Sequence, residues 1–482
     1  RMMRLLSVCA ALNGQLYSAN GDAIDPAAQK GGDINPVLNG VSIDTRKPMN
    51  DALFVALKGP SFDAHDYLDQ ALHQGALAVI TGRYVAVDCP QVVVADTYAA
   101  LTALAAWWRA QCDPMMIAVT GSVGKTSVKE MLASILEQQA PTLSTLGNLN
   151  NEIGVPLTLL RLRDEHRFAV VEMGMNQAGE ISRLTRLGRP GVALVNNAGE
   201  AHLEGLGSLE AIAAAKGEIF QGLSSDGVAV INADDKFAGY WKTLVADKRV
   251  LTFGLDTPAD VSASYIQKDD QQQVTLSLAK TTVEFSLSGR GRHNVLNALA
   301  AATTAFAAGA TSVNIAKGLA AYQAVGGRLK AHVMASTTVF DDTYNANPVS
   351  TKAALNVVAD FDSAIAILGD MGELGVASSD LHHEVGQFAA EQKIASLWCC
   401  GQFAHDYISG FESADGQDGK AFASQEGLLD FVETQSERLQ LAKAILVKGS
   451  RSAKMENISA ALLKHFELNA SQPNQLSGDA AC

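Results

Sequence analysis

The sequence predicts an α/β protein of three domains: a small N-terminal α/β domain, a central P-loop domain with a mainly parallel sheet, and a C-terminal Rossmann-like α/β domain. Three observations carry this. Short unbroken apolar runs, of the kind that strands buried on both faces require, recur along the chain with helical patterns between them. The length of 482 residues exceeds what a single hydrophobic core supports. One such run, Met115 to Val119, leads directly into VTGSVGKTS (Val119 to Ser127), a glycine-containing turn that opens a helix over Ser127 to Gln138.

That turn is the organising stretch. Gly121 and Gly124 permit positive φ and close backbone approach, so that the amides of Thr120 to Ser127 can converge on phosphate oxygens at a helix N-terminus. Lys125 then supplies charge to the terminal phosphates and the Thr126 hydroxyl a ligand to Mg2+. The general pattern places its first Gly where this chain has Val119; Gly121 makes a shorter G-x-x-G-K-T form.

Composition bounds the rest. Hydrophobic residues make up 48% and charged residues 18%, ordinary for a water-soluble globular chain. With Lys+Arg 37 against Asp+Glu 51, the net charge of -14 argues against a duplex-nucleic-acid binder. The six cysteines show no metal or disulfide spacing, which fits a reducing cytoplasm. LLSVCAAL after Arg4 reads as a short helix rather than a signal peptide, with Arg1 a remnant preceding it. No apolar run is long enough to span a bilayer, so no membrane insertion is expected.

In chain order, residues 1–96 form the first predicted domain. Its strands are Leu53 to Leu57, Ala76 to Thr81 and Gln91 to Ala95, with a helix over Tyr67 to Gln74. Loops beside them carry Asp44, Thr45, Arg46, Lys58, Ser61, Asp63 and His65; Arg46 and Lys58 read equally well as solvated turn residues or as a diphosphate clamp. A linker helix, Thr97 to Gln111, opens the second domain, 97–327.

Buried-strand candidates there are Met115 to Val119, Phe168 to Val171, Val192 to Val195 and Val228 to Ile231. Ligands of such sheets lie beyond the carboxyl ends of the strands. Asn151 in NLNNEIGVP, Glu172 after FAVV, His202 in NNAGEAHLEG and Lys216 in AAAKGEIF are the polar residues near those ends. Alone, each has an ordinary structural reading. Together with Thr126 they suggest a site for two Mg2+ ions, with Lys216 carbamylated, because a cationic lysine would repel the metal and a carbamate would be an anionic ligand.

Residues Ala259 to Phe285 read as a small antiparallel insertion. The Ala-rich helix in Gly289 to Gly309 carries Asn294 and Asn297 on one face, either of which could read an adenine edge. The third domain, 328–482, alternates again. Its strands are Thr338 to Asp342, Ala364 to Leu368, Ile394 to Cys399 and Ala444 to Val447, and its polar strand ends include Asp342 to Pro348, Gly369 to Glu373 and Lys448 to Arg451. That rim, facing the central domain, suits a second substrate. The tail from Asn469 is expected to be disordered.

TGSVGKTS, NLNNEIGVP, VEMG, NNAGEAHLEG, AAAKGEIF, GRHNVLNALAA, DDTYNANP and VKGSRSAKME, in this order, with DTRKP and LFVALKGPSFDAHDY upstream, resemble the Mur ligases of bacterial cell-wall synthesis from about Val41 to Glu456. Within that family they are most similar to members that add D-alanyl-D-alanine to a UDP-N-acetylmuramoyl-tripeptide, and the shortened phosphate loop is normal there. The resemblance implies that Thr45, Arg46, Lys58 and Ser61 hold the uridine diphosphate end of the precursor. It implies ATP bound by Thr120, Gly121, Ser122, Val123, Gly124, Lys125, Thr126, Ser127 and Asn151, by Asn294 or Asn297, and by Arg328 and Asp342. Thr126 and Glu172 would hold one Mg2+, His202 and carbamylated Lys216 the other, with Lys125 steadying the moving charge. Asn345, Asn347 and Lys448 would help to hold the dipeptide. A cytoplasmic monomer is expected. A related amide ligase, adding diaminopimelate, lysine or glutamate, and a nucleotide-gated module or transport ATPase are the competing readings.

Overall fold

The computed structural model describes residues 2–28, 34–200, 203–245, 247–278, 281–324, 326–334 and 336–470. Three large sheets follow one another along the chain. The N-terminal six-stranded sheet has the order Ala23–Ile24, Gln15–Tyr17, Gln91–Val93, Ala76–Thr81, Ala52–Val55, Val41–Ser42. Its last three pairings are parallel, so the loops after Ser42, Val55 and Thr81 leave one end of the sheet. The helix Leu5–Leu12 ends at Asn13, which takes the left-handed conformation with φ 49.

The central sheet has nine strands, in the order Thr142–Ser144, Phe168–Glu172, Met115–Thr120, Val192–Val195, Val228–Asn232, Arg249–Gly254, Val261–Lys268, Gln271–Leu278, Thr281–Ser288. Along Met115–Thr120 the side chains alternate between two cores: Met116 and Ala118 enter one, Ile117 and Val119 the other. Such two-sided burial is why these strands read as unbroken apolar runs. Helices Lys125–Glu137, Arg292–Ala307 and Ser312–Ala321 cover one face through Leu132, Ile135, Leu299 and Ile315; each fully buried Leu or Ile contributes about 1.5–3 kcal/mol. Thr97–Gln111, capped by the Asp96 carboxylate, packs on the opposite face.

The expected antiparallel insertion is instead the edge of this sheet. Val261 pairs in parallel with Phe253, and the two following strands add antiparallel to it. Hydrogen-bonding the edge of Arg249–Gly254 removes an exposed ladder and extends the core to Val274, Leu276 and Phe285.

In the C-terminal sheet the order is Lys330–Met334, Thr337–Asp342, Ala444–Lys448, Ile365–Gly369, Ser396–Cys400, Gly419–Phe422, with all but the first pairing parallel. Asn347 caps the helix Pro348–Ala359 in a capping box with Ser350. No described helix is long and apolar enough to cross a membrane.

Candidate active site

Register places the key groups. Glu172 pairs with Val119 and Val195 with Thr120, so the phosphate loop leaves its strand between Glu172 on one side and Asn196-Asn197 on the other. Gly124, at φ 79, opens the helix Lys125–Glu137 without a side-chain cap. The first amides of that helix are therefore donors with no intrahelical acceptor, a ready seat for phosphate. Asn197 holds the loop open: its Oδ1 accepts from Ser122 N at 3.0 Å and Val123 N at 2.9 Å, and its Nδ2 donates to Val123 O at 3.0 Å.

Glu172 is 1% exposed. The Thr126 hydroxyl donates to its Oε2 at 2.8 Å, Asn150 Nδ2 donates to its Oε1 at 2.8 Å, and its own amide donates to Thr145 Oγ1 at 3.0 Å. A hydroxyl and a carboxylate held in contact are hard oxygen donors that fit Mg2+, which takes one or two protein oxygens and completes its shell with phosphate and water. Among the described residues no three His, Cys, Asp or Glu side chains converge as a self-sufficient metal site.

Lys125 donates to Gly121 O at 2.7 Å, and burial lowers the pKa of its ammonium, partly opposed by the charge of Glu172. Lys216, on the helix Leu209–Gly217 capped by Ser208, is 1% exposed, and its amine has no hydrogen-bond partner among the described residues. Burial, and then the charge of Lys125, pushes its pKa well below the ordinary lysine value. His202 lies outside the described residues.

Across from the loop stands the C-terminal domain. Arg328 NH2 donates to Thr126 Oγ1 at 2.9 Å while its guanidinium lies 4.0 Å from the Tyr344 ring centroid. Asp342 accepts from Leu329 N at 3.0 Å and from Lys448 Nζ at 2.6 Å. The two domains enclose one cleft of about 1040 Å³, walled by the phosphate loop, Glu172, Asn297 and Arg183 on one side and Arg328, Asn345, Glu373 and Arg451 on the other. That volume is at the upper end of the range for small-molecule pockets, about 300–1,000 Å³.

Several sequence-level candidates sit differently from one another. The Asn151 side chain accepts from the amides of Ile153 and Gly154 and so starts a helix, whereas Asn150, its neighbour, reaches Glu172. Asn294 donates to Gln272 and Ser288 of the adjacent strands. Asn297 instead accepts from Asn196 and touches the phosphate loop, where a Cβ on Gly124 would collide with its oxygen. Asn347 is occupied in its helix cap, and Lys448 by Asp342 and Asn345 O. Thr45, Arg46, Lys58 and Ser61 lie on the N-terminal rim outside the cleft; Arg46 pairs with Asp44 at 2.8 Å. Asn150, Asn196, Asn197 and His293 were missed as candidates, while Glu373 and Arg451 fall within the expected polar strand ends without being singled out there. The rule that strand ends carry the site pointed to Asn196 and Asn197, which directly follow Val192–Val195.

Residues 119–305 match the Mur ligase middle domain and residues 327–451 the Mur ligase glutamate ligase domain. The chain is 44% identical over 437 residues to the UDP-N-acetylmuramoyl-tripeptide–D-alanyl-D-alanine ligase of Escherichia coli (strain K12), covering 90% of this chain and 95% of that one. It is 33% identical to the enzyme of the same name from Bacillus subtilis (strain 168), covering 89% and 94%. The crystal structure of MurF from Acinetobacter baumannii superposes with a TM-score of 0.87 at 34% identity, over 96% of this chain and 99% of that one. MurF from Thermotoga maritima in complex with ADP superposes with a TM-score of 0.79 at 26% identity, over 89% and 98%. A phosphate loop facing a second domain's polar rim, on a chain similar to these ligases along nearly its whole length, places the protein in the Mur ligase family.

Proposed function

We propose that the chain ligates D-alanyl-D-alanine to a UDP-N-acetylmuramoyl-tripeptide with ATP, yielding the UDP-N-acetylmuramoyl-pentapeptide, ADP and phosphate for peptidoglycan. The observation that carries it is the single cleft shared by the phosphate loop and the C-terminal rim. A carboxylate is a poor electrophile. The tripeptide's terminal carboxylate oxygen attacks the γ-phosphorus, the β–γ bridging bond breaks and ADP leaves; the dipeptide amine then attacks the acyl carbon, loses a proton, and phosphate departs.

Two anions must meet in the first step, so charge neutralisation carries most of the catalysis. Lys125 and Arg328 supply positive charge from the two sides. The amides of Gly124 to Ser127 and the preceding turn, Thr120 to Val123, seat the phosphates, with Asn297 and Asp342 beside the nucleotide. Thr126 and Glu172 would hold Mg2+, which when bound would supply polarisation of the phosphoryl oxygens. Thr45, Arg46, Lys58 and Ser61 receive the uridine diphosphate, and Asn345, Asn347 and Lys448 shape the dipeptide wall.

Lys216 suits carbamylation: carbon dioxide adds only to a neutral amine, and burial favours the neutral form of this one, which has no hydrogen-bond partner among the described residues. The carbamate would be an anionic ligand for a second metal ion. Two of the three substrates, ATP and the UDP-tripeptide, are nucleotides, which points to the cytoplasm.

The test is a coupled assay of phosphate release. Release that requires both the nucleotide-tripeptide and D-alanyl-D-alanine supports the ligase; release without the amine supports the ATPase reading, and a preference for another amine supports a sister ligase.

A further inference from the structure

Most polar groups on the C-terminal rim are already occupied. Lys448, 2% exposed, is held by Asp342 and the Asn345 carbonyl; Asn347 caps its helix; Asp370 accepts the amides of Gln402 and Phe403. None of these can change partner without unpicking the fold around it.

Arg451 is different. Its side chain is 69% exposed and lines the cleft, and its NH1 donates to Glu456 Oε1 at 3.1 Å. Nε and NH2 have no acceptor among the described residues, so Glu456 orients the guanidinium and leaves part of its planar donor fork open. Arg451 follows the strand Ala444–Lys448, which lies between Thr337–Asp342 and Ile365–Gly369 in the sheet. Ser450 N donates to Asp370 O at 2.9 Å, which ties this loop to the one that carries Glu373.

Glu373 is exposed in the same cleft and close enough to Lys125 to favour its charged form. Lys125 marks where the acyl phosphate forms. Small apolar side chains, Val349, Ala353 and Ala354, line the cleft from the helix Pro348–Ala359. Cation, anion and small apolar wall are the complement of a short zwitterionic peptide with methyl side chains.

Building on the ligase reading, we infer that Arg451 receives the free carboxylate of the incoming dipeptide and Glu373 its α-ammonium, which sets the amine beside the acyl carbon. A site made to pair with a charge discriminates strongly against an analogue that lacks it.

Steady-state kinetics of the full chain with D-alanyl-D-alanine and with its neutral C-terminal amide test this. The wild type is expected to prefer the acid by roughly 10–100-fold in kcat/KM, the usual worth of a hydrogen bond to a charged group. Arg451→Met should raise KM for the dipeptide by a similar factor, abolish the preference over the amide, and leave KM for ATP and for the UDP-tripeptide unchanged. Arg451→Lys should keep part of the preference. Glu373→Gln should raise KM for acid and amide alike, with the preference intact. A wild type that uses both amines equally, or an Arg451→Met variant that still prefers the acid, overturns the inference. A wild type that ligates neither amine overturns the ligase reading itself.

Discussion

Arg328 and Thr126 are separated by 202 positions, yet the guanidinium of one donates to the hydroxyl of the other at 2.9 Å, across the boundary between two domains. Thr126 in turn donates to Glu172, so a single chain of hydrogen bonds joins the C-terminal domain to the proposed metal ligand. Lysine cannot reproduce this contact while also stacking on Tyr344. Arg328→Lys is expected to lower kcat by about 100-fold, in line with loss of one preorganised donor, with little change in Tm. ADP release at saturating substrates measures it; a kcat close to wild type would show that the bond does not serve catalysis.

Glu172→Gln keeps the shape and the contact with Asn150 but removes the charge. The Mg2+ concentration giving half-maximal activity should rise about 10–100-fold. A magnesium titration at fixed ATP decides the point, and an unshifted curve would remove Glu172 from the metal site.

Lys216 carries opposite demands from stability and chemistry. Its folded pKa lies well below the unfolded value of about 10.4. Between the two the unfolded chain binds more protons, so stability rises with pH through that window and levels off above the unfolded value. Lys216→Met should abolish ligation, raise stability by about 1–2 kcal/mol at neutral pH and flatten that part of the pH profile. Lys216→Ala should be partly rescued by bicarbonate or a short carboxylic acid, and 13C-bicarbonate should give the wild type a carbamate resonance that the variant lacks. Full activity in Lys216→Arg would rule the carbamate out.

Asp63 accepts from His65 N at 3.0 Å, lies 2.5 Å from His65 Nδ1, and accepts from Arg83 NH1 at 3.1 Å. The backbone bond first, then the His65 and Arg83 side chains, hold its pKa down at about 2. A depressed carboxylate stabilises above its unfolded value of about 3.9, and that contribution disappears as pH falls toward about 2. Asp63→Asn should therefore lower Tm at pH 7, with the gap to wild type closing over that acid range. A gap that persists at pH 2 would refute the assignment.

Gly124 adopts φ 79, and a Cβ there would meet the side chains of Asn297 and Asn196. Gly124→Ala combines a left-handed backbone cost of about 1–2 kcal/mol with that collision. Calorimetric titration with ATP should show affinity reduced by roughly tenfold or more, a factor that 1.4 kcal/mol accounts for.

Met115–Thr120 and the glycine turn after it were legible because the signal is local: unbroken apolar side chains mark a strand buried on both faces, and Gly124 is needed where φ is positive. Lys216 stood out for the same reason, as one cation in an alanine-rich helix. Between Asn150 and Asn151 nothing local could choose, because adjacent identical side chains differ only in which way the turn aims them. The three antiparallel strands that end in Thr281–Ser288 read as a separate piece, since pairing of Val261 with Phe253 is a property of two distant edges and not of either strand.

What the amino-acid order determined by itself was thus the elements, the phosphate loop and the family's motifs, all set by neighbours within a few residues. Only the tertiary structure decided that Arg328 reaches Thr126, that Asn297 rather than Asn294 meets Gly124, and that Arg451 keeps donors open to the cleft. Those contacts follow from how elements distant in the chain pack, within and between domains, and no local periodicity encodes the side chains that packing brings together.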